Sequence, residues 1–516
     1  MRNPLIKFKN KRFVLNTKQI EEGDVFISIN NGAKHLEHSH IEKISHILVE
    51  NQEELKKFKN KRFVLNTKQI EVGDVFISIN NGAKHLEQTH LEKISHILVE
   101  NQEELKNFEK ALLIENLSDF YVDWIDQAYE LNHEEFENFF VTGTNGKTST
   151  VSFMSQIFKT NGMKYASSGT LGTFLEAGDY YQNDLTTQDP LFIRNLMQKC
   201  AKESVKNIFF EASSIGLDQN RLRGLVVNHA AFTNITRDHF DYHRNFENYL
   251  DSKLKLIKEQ SLKTLTINID DHTLKSNLNE FYNFNITKVS MLDKKADIFF
   301  EITNQYPDGN FEFKVNHPWG TDKTFAKVEA THNIYNLLLC LPYFESVSKD
   351  TSMFFNSLEK LSLPRGRLEK IGNNIFVDYA HTPQAIDIVC KSLLEKHNKE
   401  LVIVFGAGGN RDVGKRKFMG QIADQYCKKI IITSDNPRFE EPSEIAGMIE
   451  KGIKEKSKVN KILDRKEAIE YAIKHLTDNE MLLIAGKGHE NFQEFKNEKR
   501  IFSDQETVKK CIGLKV

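Results

Sequence analysis

Net charge is nearly absent from this chain of 516 residues: 70 Lys and Arg stand against 72 Asp and Glu, a formal −2. That balance excludes a chain-wide basic footprint for nucleic acid. Long apolar runs are also missing. None approaches the ~20 residues that cross a bilayer, and the opening Met1-Arg2-Asn3-Pro4 lacks a signal-peptide core. A cytoplasmic protein with no membrane partner is expected. Cysteine is scarce, with Cys200, Cys340, Cys390, Cys427 and Cys511 scattered and no CxxC spacing. This excludes a disulfide frame and a cysteine zinc site, and predicts buried thiols in a reducing compartment. The length suggests about three domains.

Against these absences one stretch stands out. Phe139-Phe140-Val141 reads as a short buried strand. It breaks into Gly143-Thr144-Asn145-Gly146-Lys147-Thr148-Ser149, and a helical pattern follows with Val151, Phe153, Met154, Ile157 and Phe158 on one face. A strand, a glycine turn, Lys-Thr and a helix form a cradle for phosphates. The glycines let N–H groups converge on an anion, and the helix start adds its positive dipole end. Lys147 would reach the outer phosphates and the Thr148 hydroxyl would face Mg²⁺. The first glycine of the full Walker pattern is missing, since Val141 stands there.

The first hundred residues hold a repeat. Residues 7–56 recur as 57–106, differing only at Glu22/Val72, His38/Gln88, Ser39/Thr89 and Ile41/Leu91. Two copies are too few for a solenoid. Each reads strand, strand, glycine loop, short helix, strand. The second copy adjoins a further strand at Ala111-Leu112-Leu113-Ile114 and is expected to be the integrated one, leaving the first as surplus.

Past a helix over 117–131, strands alternate with helices, which predicts parallel sheets covered on both faces. Asn207 to Phe210 and Val226 to Phe232 are expected strands. They deliver Glu211 and His239 to the same carboxyl rim as Lys147, where a carboxylate and an imidazole suit Mg²⁺ beside nucleotide phosphates. Phe299–Ile302 and Phe311–Val315 read as an antiparallel pair about a Pro307-Asp308-Gly309-Asn310 turn. Leu363 to Glu369 reads as a hinge. After it, four strands each end in a polar loop: Asp378-Tyr379-Ala380-His381, Gly408-Gly409-Asn410-Arg411, Asp435-Asn436-Pro437-Arg438 and Gly486-Lys487-Gly488-His489-Glu490. Arginines that grip carboxylates and a glutamate for an ammonium suit a zwitterionic substrate. The predicted boundaries are 1–130, 131–364 and 365–516: a small N-terminal α/β domain, a central P-loop-type parallel sheet and a C-terminal doubly wound, Rossmann-like domain.

From Thr67 onward these motifs resemble the Mur ligase family. The resemblance implies an ATP- and Mg²⁺-dependent ligase that adds meso-2,6-diaminopimelate to UDP-N-acetylmuramoyl-L-alanyl-D-glutamate through an acyl phosphate, in peptidoglycan synthesis. It implies ATP contacts from Gly143 to Ser149 and from Asn333, Arg367, Asp378 and His381. Metal ligands would be Thr148, Glu211, His239 and Lys253, the last as an N6-carboxylysine, with Lys147 completing the catalytic set. The UDP-muramoyl substrate would meet Thr67, Thr186, Thr187, Ser213, Gln219 and Arg221. Diaminopimelate would meet Arg411, Asp435, Asn436, Pro437, Arg438, Gly486 and Glu490; lysine-adding relatives lack the arginine at 438. A monomer acting on small molecules is expected.

The sequence departs from the family pattern at Ile215, where relatives often carry His, at Asn410 for Asp and at Lys417 for Pro. The usual Asp-Ser-Arg of the uridine site reads Asn66-Thr67-Lys68, duplicated as Asn16-Thr17-Lys18. Three alternatives stand beside this reading: the same ligation with L-lysine, a folylpolyglutamate synthetase, and a P-loop switch protein without ligase activity.

Overall fold

Alternating buried strands and one-faced helices build this protein, and the computed structural model describes residues 13–14, 24–28, 44–49 and 61–514. Residues 66, 79–81, 100–106, 109–110, 114–116, 176–177, 179, 184, 259–261, 307 and 497 within that span are not described. The chain divides into two compact units, residues 1–132 with 190–199, and residues 133–189 with 200–516.

In the first unit the second repeat copy forms a four-stranded parallel sheet with the strand that follows it. Its strands are Phe63–Val64, Val75–Ile77, His96–Val99 and Ala111–Leu113. Successive side chains of a strand point to opposite faces. Phe63, Val75, Ile77 and Leu98 accordingly pack with Tyr121, Val122 and Ile125 of the Leu117–Ala128 helix, while Val64, Phe76, Ile97 and Val99 form a second core with Ala83 and Ile94. The first copy forms its own three-stranded sheet, Phe13–Val14, Asp24–Ser28 and Ile44–Val49. Its register repeats the second copy's fifty residues earlier: Phe13 pairs with Val25 as Phe63 pairs with Val75. The packing of its side chains lies outside the described residues, as do Asn66 and Asn16-Thr17-Lys18.

The second unit holds two sheets. The larger has eleven strands. Its middle is parallel, in the order Tyr165–Gly169, Asn207–Glu211, Glu137–Thr142, His229–Phe232, Thr264–Asn268, Ile286–Ser290. Phe139, Val141 and Phe209 bury one face against Phe153, Met154, Ile157 and Phe158 of the Lys147–Thr160 helix. Antiparallel strands close both ends. At one end the expected pair is present as Ile298–Gln305 and Asn310–His317, joined by an unforeseen third strand, Gly320–Lys327. The second sheet has six strands, with Ile375–Asp378, Glu480–Ala485, Glu400–Phe405, Cys427–Ile432 and Val459–Lys461 in parallel order and helices packed on both faces. Cys200, Cys340, Cys390 and Cys427 are buried as expected; Cys511 is exposed because it ends the last helix, Asp504–Cys511.

Candidate active site

The carboxyl ends of the parallel strands collect the chemistry. Between the Glu137–Thr142 strand and the Lys147–Thr160 helix the chain must turn within four residues, and two glycines make that possible. Gly143 has φ 149° and Gly146 φ 90°. A Cβ on Gly143 would lie 1.9 Å from Thr233 Oγ1, and one on Gly146 would lie 2.4 Å from Asn336 Oδ1. The loop is pinned from outside: Asn234 Oδ1 accepts from Asn145 N at 3.0 Å, and Thr233 Oγ1 donates to Asn145 O at 2.6 Å. Thr144 Oγ1 lies 2.8 Å from Tyr249 Oη.

Two lysines meet at this loop. Lys147 Nζ donates to Gly143 O and Thr144 O at 2.8 and 3.0 Å, and Lys253 Nζ donates to Gly143 O at 2.7 Å. Burial pushes both ammonium pKa values down, and for Lys253, held well below the usual lysine range, the Lys147 charge adds to the effect. Glu211, at the end of the neighbouring strand, is buried. Its carboxylate accepts from Thr148 Oγ1 at 2.9 Å, Thr170 N at 2.8 Å and Thr170 Oγ1 at 3.0 Å. His239 sits in the left-handed region at φ 55° with Nε2 3.5 Å from Asp238 Oδ2. Burial brings its imidazole down to about 4, against the attraction of Asp238. Burial works against ionisation of Asp238, yet His239, His381 and Lys415 outweigh it and hold that carboxyl low.

Beside Glu211 lies a second group. Thr187 Oγ1 donates to Glu211 O at 2.8 Å and accepts from Ser213 N at 2.9 Å, and Thr186 Oγ1 accepts from Thr170 Oγ1 at 3.2 Å. Arg221 donates to Thr187 O at 2.8 Å and to Gln219 Oε1 at 3.0 Å. Thr67 belongs to the other compact unit, where it opens the short Thr67–Gln69 turn.

From the hinge, Arg367 donates to Thr148 Oγ1 at 3.3 Å while its guanidinium stacks 4.4 Å over the Tyr379 ring. The two oxygens of Asp378 accept from Leu368 N and Ala380 N, both at 2.7 Å, and so clamp the hinge. His381 Nδ1 lies 2.9 Å from Tyr379 O and Nε2 3.9 Å from Asp238. Asn333 donates to Val328 O and accepts from Asn336 Nδ2, which commits its amide within the protein.

The C-terminal loops form a polar shelf. Lys487 Nζ donates to Glu490 Oε2 at 2.6 Å and Asn436 Oδ1 at 3.0 Å, and Asn436 Nδ2 donates to Glu490 at 2.9 Å. Gly486 presses on Asp435, whose Oδ2 would be 2.5 Å from an added Cβ, and Gly409 presses likewise on Pro437 O. Arg438, at φ 51°, donates to Glu494 Oε2 and Gly409 O, both at 2.9 Å. Arg411 lies 3.3 Å from Asp241. Beneath the shelf the buried Arg465 holds Asp504 through two bonds of 2.8 Å and donates to Ala485 O at 3.0 Å.

Sequence reasoning passed over Asp238, Thr170, Asn336, Tyr249, Lys487 and Arg465. Lys487 stood inside a quoted loop and Asp238 directly before His239, so their signal was present; the others are single polar residues that only the topology gathers. Among the described residues, no group of three or more His, Cys, Asp or Glu is arranged to hold a metal by itself.

This geometry fits what comparison finds. Residues 141–343 match the Mur ligase middle domain, and residues 366–488 the Mur ligase glutamate ligase domain. A UDP-N-acetylmuramoyl-L-alanyl-D-glutamate–2,6-diaminopimelate ligase from Rickettsia montanensis is 38% identical over 424 residues, covering 78% of this chain and 87% of the relative. The chain belongs to the Mur ligase family. A solved structure of a ligase with the same name covers 88% of this chain and 94% of its own, with a TM-score of 0.57 at 29% identity. The Mur ligase fold also appears in a MurF ligase from Thermotoga maritima in complex with ADP, with a TM-score of 0.62 at 15% identity, covering 84% and 95%. That likeness shows the fold alone.

Proposed function

We propose that this protein is an ATP-dependent ligase that joins meso-2,6-diaminopimelate to UDP-N-acetylmuramoyl-L-alanyl-D-glutamate. The observation that carries the reading is the meeting of two sites in one compact unit. Arg367, from the hinge of the C-terminal part, donates to Thr148 of the phosphate loop. The hinge that leads to the amino-acid shelf thus reaches the ATP end. The Rickettsia relative bearing that name supports the choice of substrates.

The D-glutamate side-chain carboxylate attacks the γ-phosphorus of ATP, ADP leaves, and the amine of diaminopimelate then displaces phosphate from the acyl phosphate. Positioning and neutralisation of charge carry such a transfer. The Gly143–Ser149 loop cradles the phosphates, and Lys147 swings from its carbonyl partners to an outer phosphate oxygen. Thr186, Thr187, Ser213, Gln219 and Arg221 face the muramoyl substrate beside Glu211; Thr67 is the residue of the first unit assigned to that substrate. Asp435, Asn436, Pro437, Arg438, Gly486, Glu490 and Arg411 receive the amino acid, whose distal carboxylate fits Arg438.

The donors near the loop suit Mg²⁺. Thr148 and Glu211 already touch and are hard oxygen ligands, His239 adds a nitrogen with little tendency to protonate, and an incomplete protein set is what Mg²⁺ takes when phosphate and water oxygens fill the rest. Lys253 fits as a carbamate, because a low-pKa amine is the form that captures CO₂. When bound, the metal neutralises phosphate charge. We assign the protein to the cytoplasm as a monomer; among the described residues no helix is long and apolar enough to cross a membrane.

Phosphate release that requires both the muramoyl dipeptide and diaminopimelate is the expected result. Turnover without the muramoyl substrate would end this reading, and turnover with L-lysine but not diaminopimelate would end the assignment of Arg438.

A further inference from the structure

Two ion pairs join the halves of the second unit, and of their four members only Arg411 has a part in the chemistry above. The segment after the His229–Phe232 strand carries Arg237 in its loop and Asp241 on the short Phe240–His243 helix; the loop after the Glu400–Phe405 strand carries Arg411 and Asp412. Arg237 Nη2 lies 3.3 Å from Asp412 Oδ2, and Arg411 Nη1 lies 3.3 Å from Asp241 Oδ2. Each segment presents one cation and one anion, so the pairs cross. Any shift of one segment along the other brings like charges together, and the crossing thereby sets the register as well as the contact.

Both members of the first pair are held ready. Asp412 accepts from Gly414 N at 2.8 Å, and the Arg237 guanidinium lies 4.7 Å over the Phe240 ring. The contact is tight: a Cβ on Gly414 would lie 3.0 Å from Asp412 Oδ1 and 3.1 Å from Arg237 Nη2. Arg237 and Asp241 also flank His239 in sequence, so this contact brings the C-terminal loops onto the segment that bears His239.

We propose that the crossed pairs form a substrate-exchanged clasp: Arg237 and Asp412 close the C-terminal part over the phosphate loop, and Asp241 holds the place of a substrate carboxylate on Arg411. The second half rests on the ligase reading, because it assumes that Arg411 meets the amino acid. When a dicarboxylate amino acid arrives, its carboxylate takes Arg411 from Asp241, and Arg237–Asp412 keeps the loops in register during the exchange. Solvent-exposed pairs are weak individually. Here Arg237 and Arg411 remain 53% and 45% exposed. The clasp can thus open on every turnover to release product. Arg237, Asp241 and Asp412 act as positioning residues.

The test uses the full chain and four variants: Arg237→Asp, Asp412→Arg, the double exchange Arg237→Asp/Asp412→Arg, and Asp241→Asn. Interdomain distance is read by fluorescence transfer with a non-hydrolysable ATP analogue present, and KM for diaminopimelate by phosphate release. Each single reversal is expected to open the unit and raise KM tenfold or more, with a smaller change in kcat. The double exchange is expected to restore closure and bring KM within about threefold of the parent. A double exchange no better than either single overturns the closing role. Asp241→Asn is expected to lower KM severalfold, and an unchanged or raised KM overturns the place-holding role. If the parent protein turns over no diaminopimelate, the ligase reading fails, while the distance measurements still decide the closing pair.

Discussion

Removing Asp504 should unfold the C-terminal part far more readily than removing any surface charge. The Arg465 side chain and the Asp504 side chain are both 0% exposed, and they meet in two parallel bonds of 2.8 Å. Asp504→Leu leaves a guanidinium in the interior with no counter-charge, which costs about 3–5 kcal/mol. At ~1.4 kcal/mol per decade, that lowers the folding constant by two to three and a half decades. Arg465→Met should cost a similar amount, since it strands the carboxylate. The double variant Arg465→Met/Asp504→Leu should recover most of the loss, because matched apolar replacement of a buried pair is near neutral. Its activity should not recover with it. Arg465 also donates to Ala485 O at 3.0 Å and lies 3.5 Å from Ser434 O, which places the Asp435 and Gly486 loops. The double variant should therefore fold and still show a raised KM for the amino acid. Urea midpoints at constant slope measure the first effect and initial rates the second. A single variant that loses less than ~0.5 kcal/mol, the range of ordinary surface changes, would refute the argument, and so would a double variant as unstable as the singles.

The parts of this site that were legible in the sequence are those whose residues are contiguous. Gly143 to Ser149 announces its turn because only glycine takes the φ of 149° and 90° found there. The polar loops after the C-terminal strands were equally plain, since an apolar run ending in Asp, Asn, Arg and Gly has few other uses. What the sequence hid is pairing over distance. Glu494 on Arg438 and Asp504 on Arg465 are 56 and 39 residues away, and nothing local marks them. The strand expected over 226–232 begins only at His229. Val226 O and Asn228 Oδ1 are taken by Asn138, so side-chain bonds replace the ladder there. Gly320–Lys327 was missed because it buries only Ala326 fully and so carries no alternating pattern. The bonds from Leu368 N and Ala380 N to the Asp378 oxygens were equally hidden, because they depend on where the hinge folds back.

Gly143→Ala should abolish ATP turnover without unfolding the chain, since its Cβ would meet Thr233 Oγ1 at 1.9 Å and displace the loop; wild-type kcat in that variant would show the loop tolerates a side chain. Acid should weaken the second unit partly through Glu137. Its hydrogen bond from His229, aided by Lys263 and opposed by burial, takes its pKa from 4.5 to about 2. A depressed carboxyl contributes stability that is fully present above its unfolded pKa and is lost as pH falls from 4.5 through about 2. With 29% of that side chain exposed, the contribution is about 1–2 kcal/mol. Glu137→Gln should flatten the acid limb of a stability profile by that amount, and an unchanged limb would contradict it. The last prediction concerns the repeat. Deleting residues 7–56 or residues 57–106 yields two chains that differ only at Glu22/Val72, His38/Gln88, Ser39/Thr89 and Ile41/Leu91. Both splices join the same sequence to Ala111–Leu113, and the two copies pair their strands in the same register, Val25 on His46 and Val75 on His96. Either copy should therefore complete the four-stranded sheet, and both single-copy chains should keep parental KM for the muramoyl substrate within about twofold. The chain that retains the first copy should be the more soluble, because Val72 is 86% exposed where the first copy has Glu22. Loss of activity in both deletions would mean that the two copies are used together, and loss in only one would place a functional role on one of those four positions.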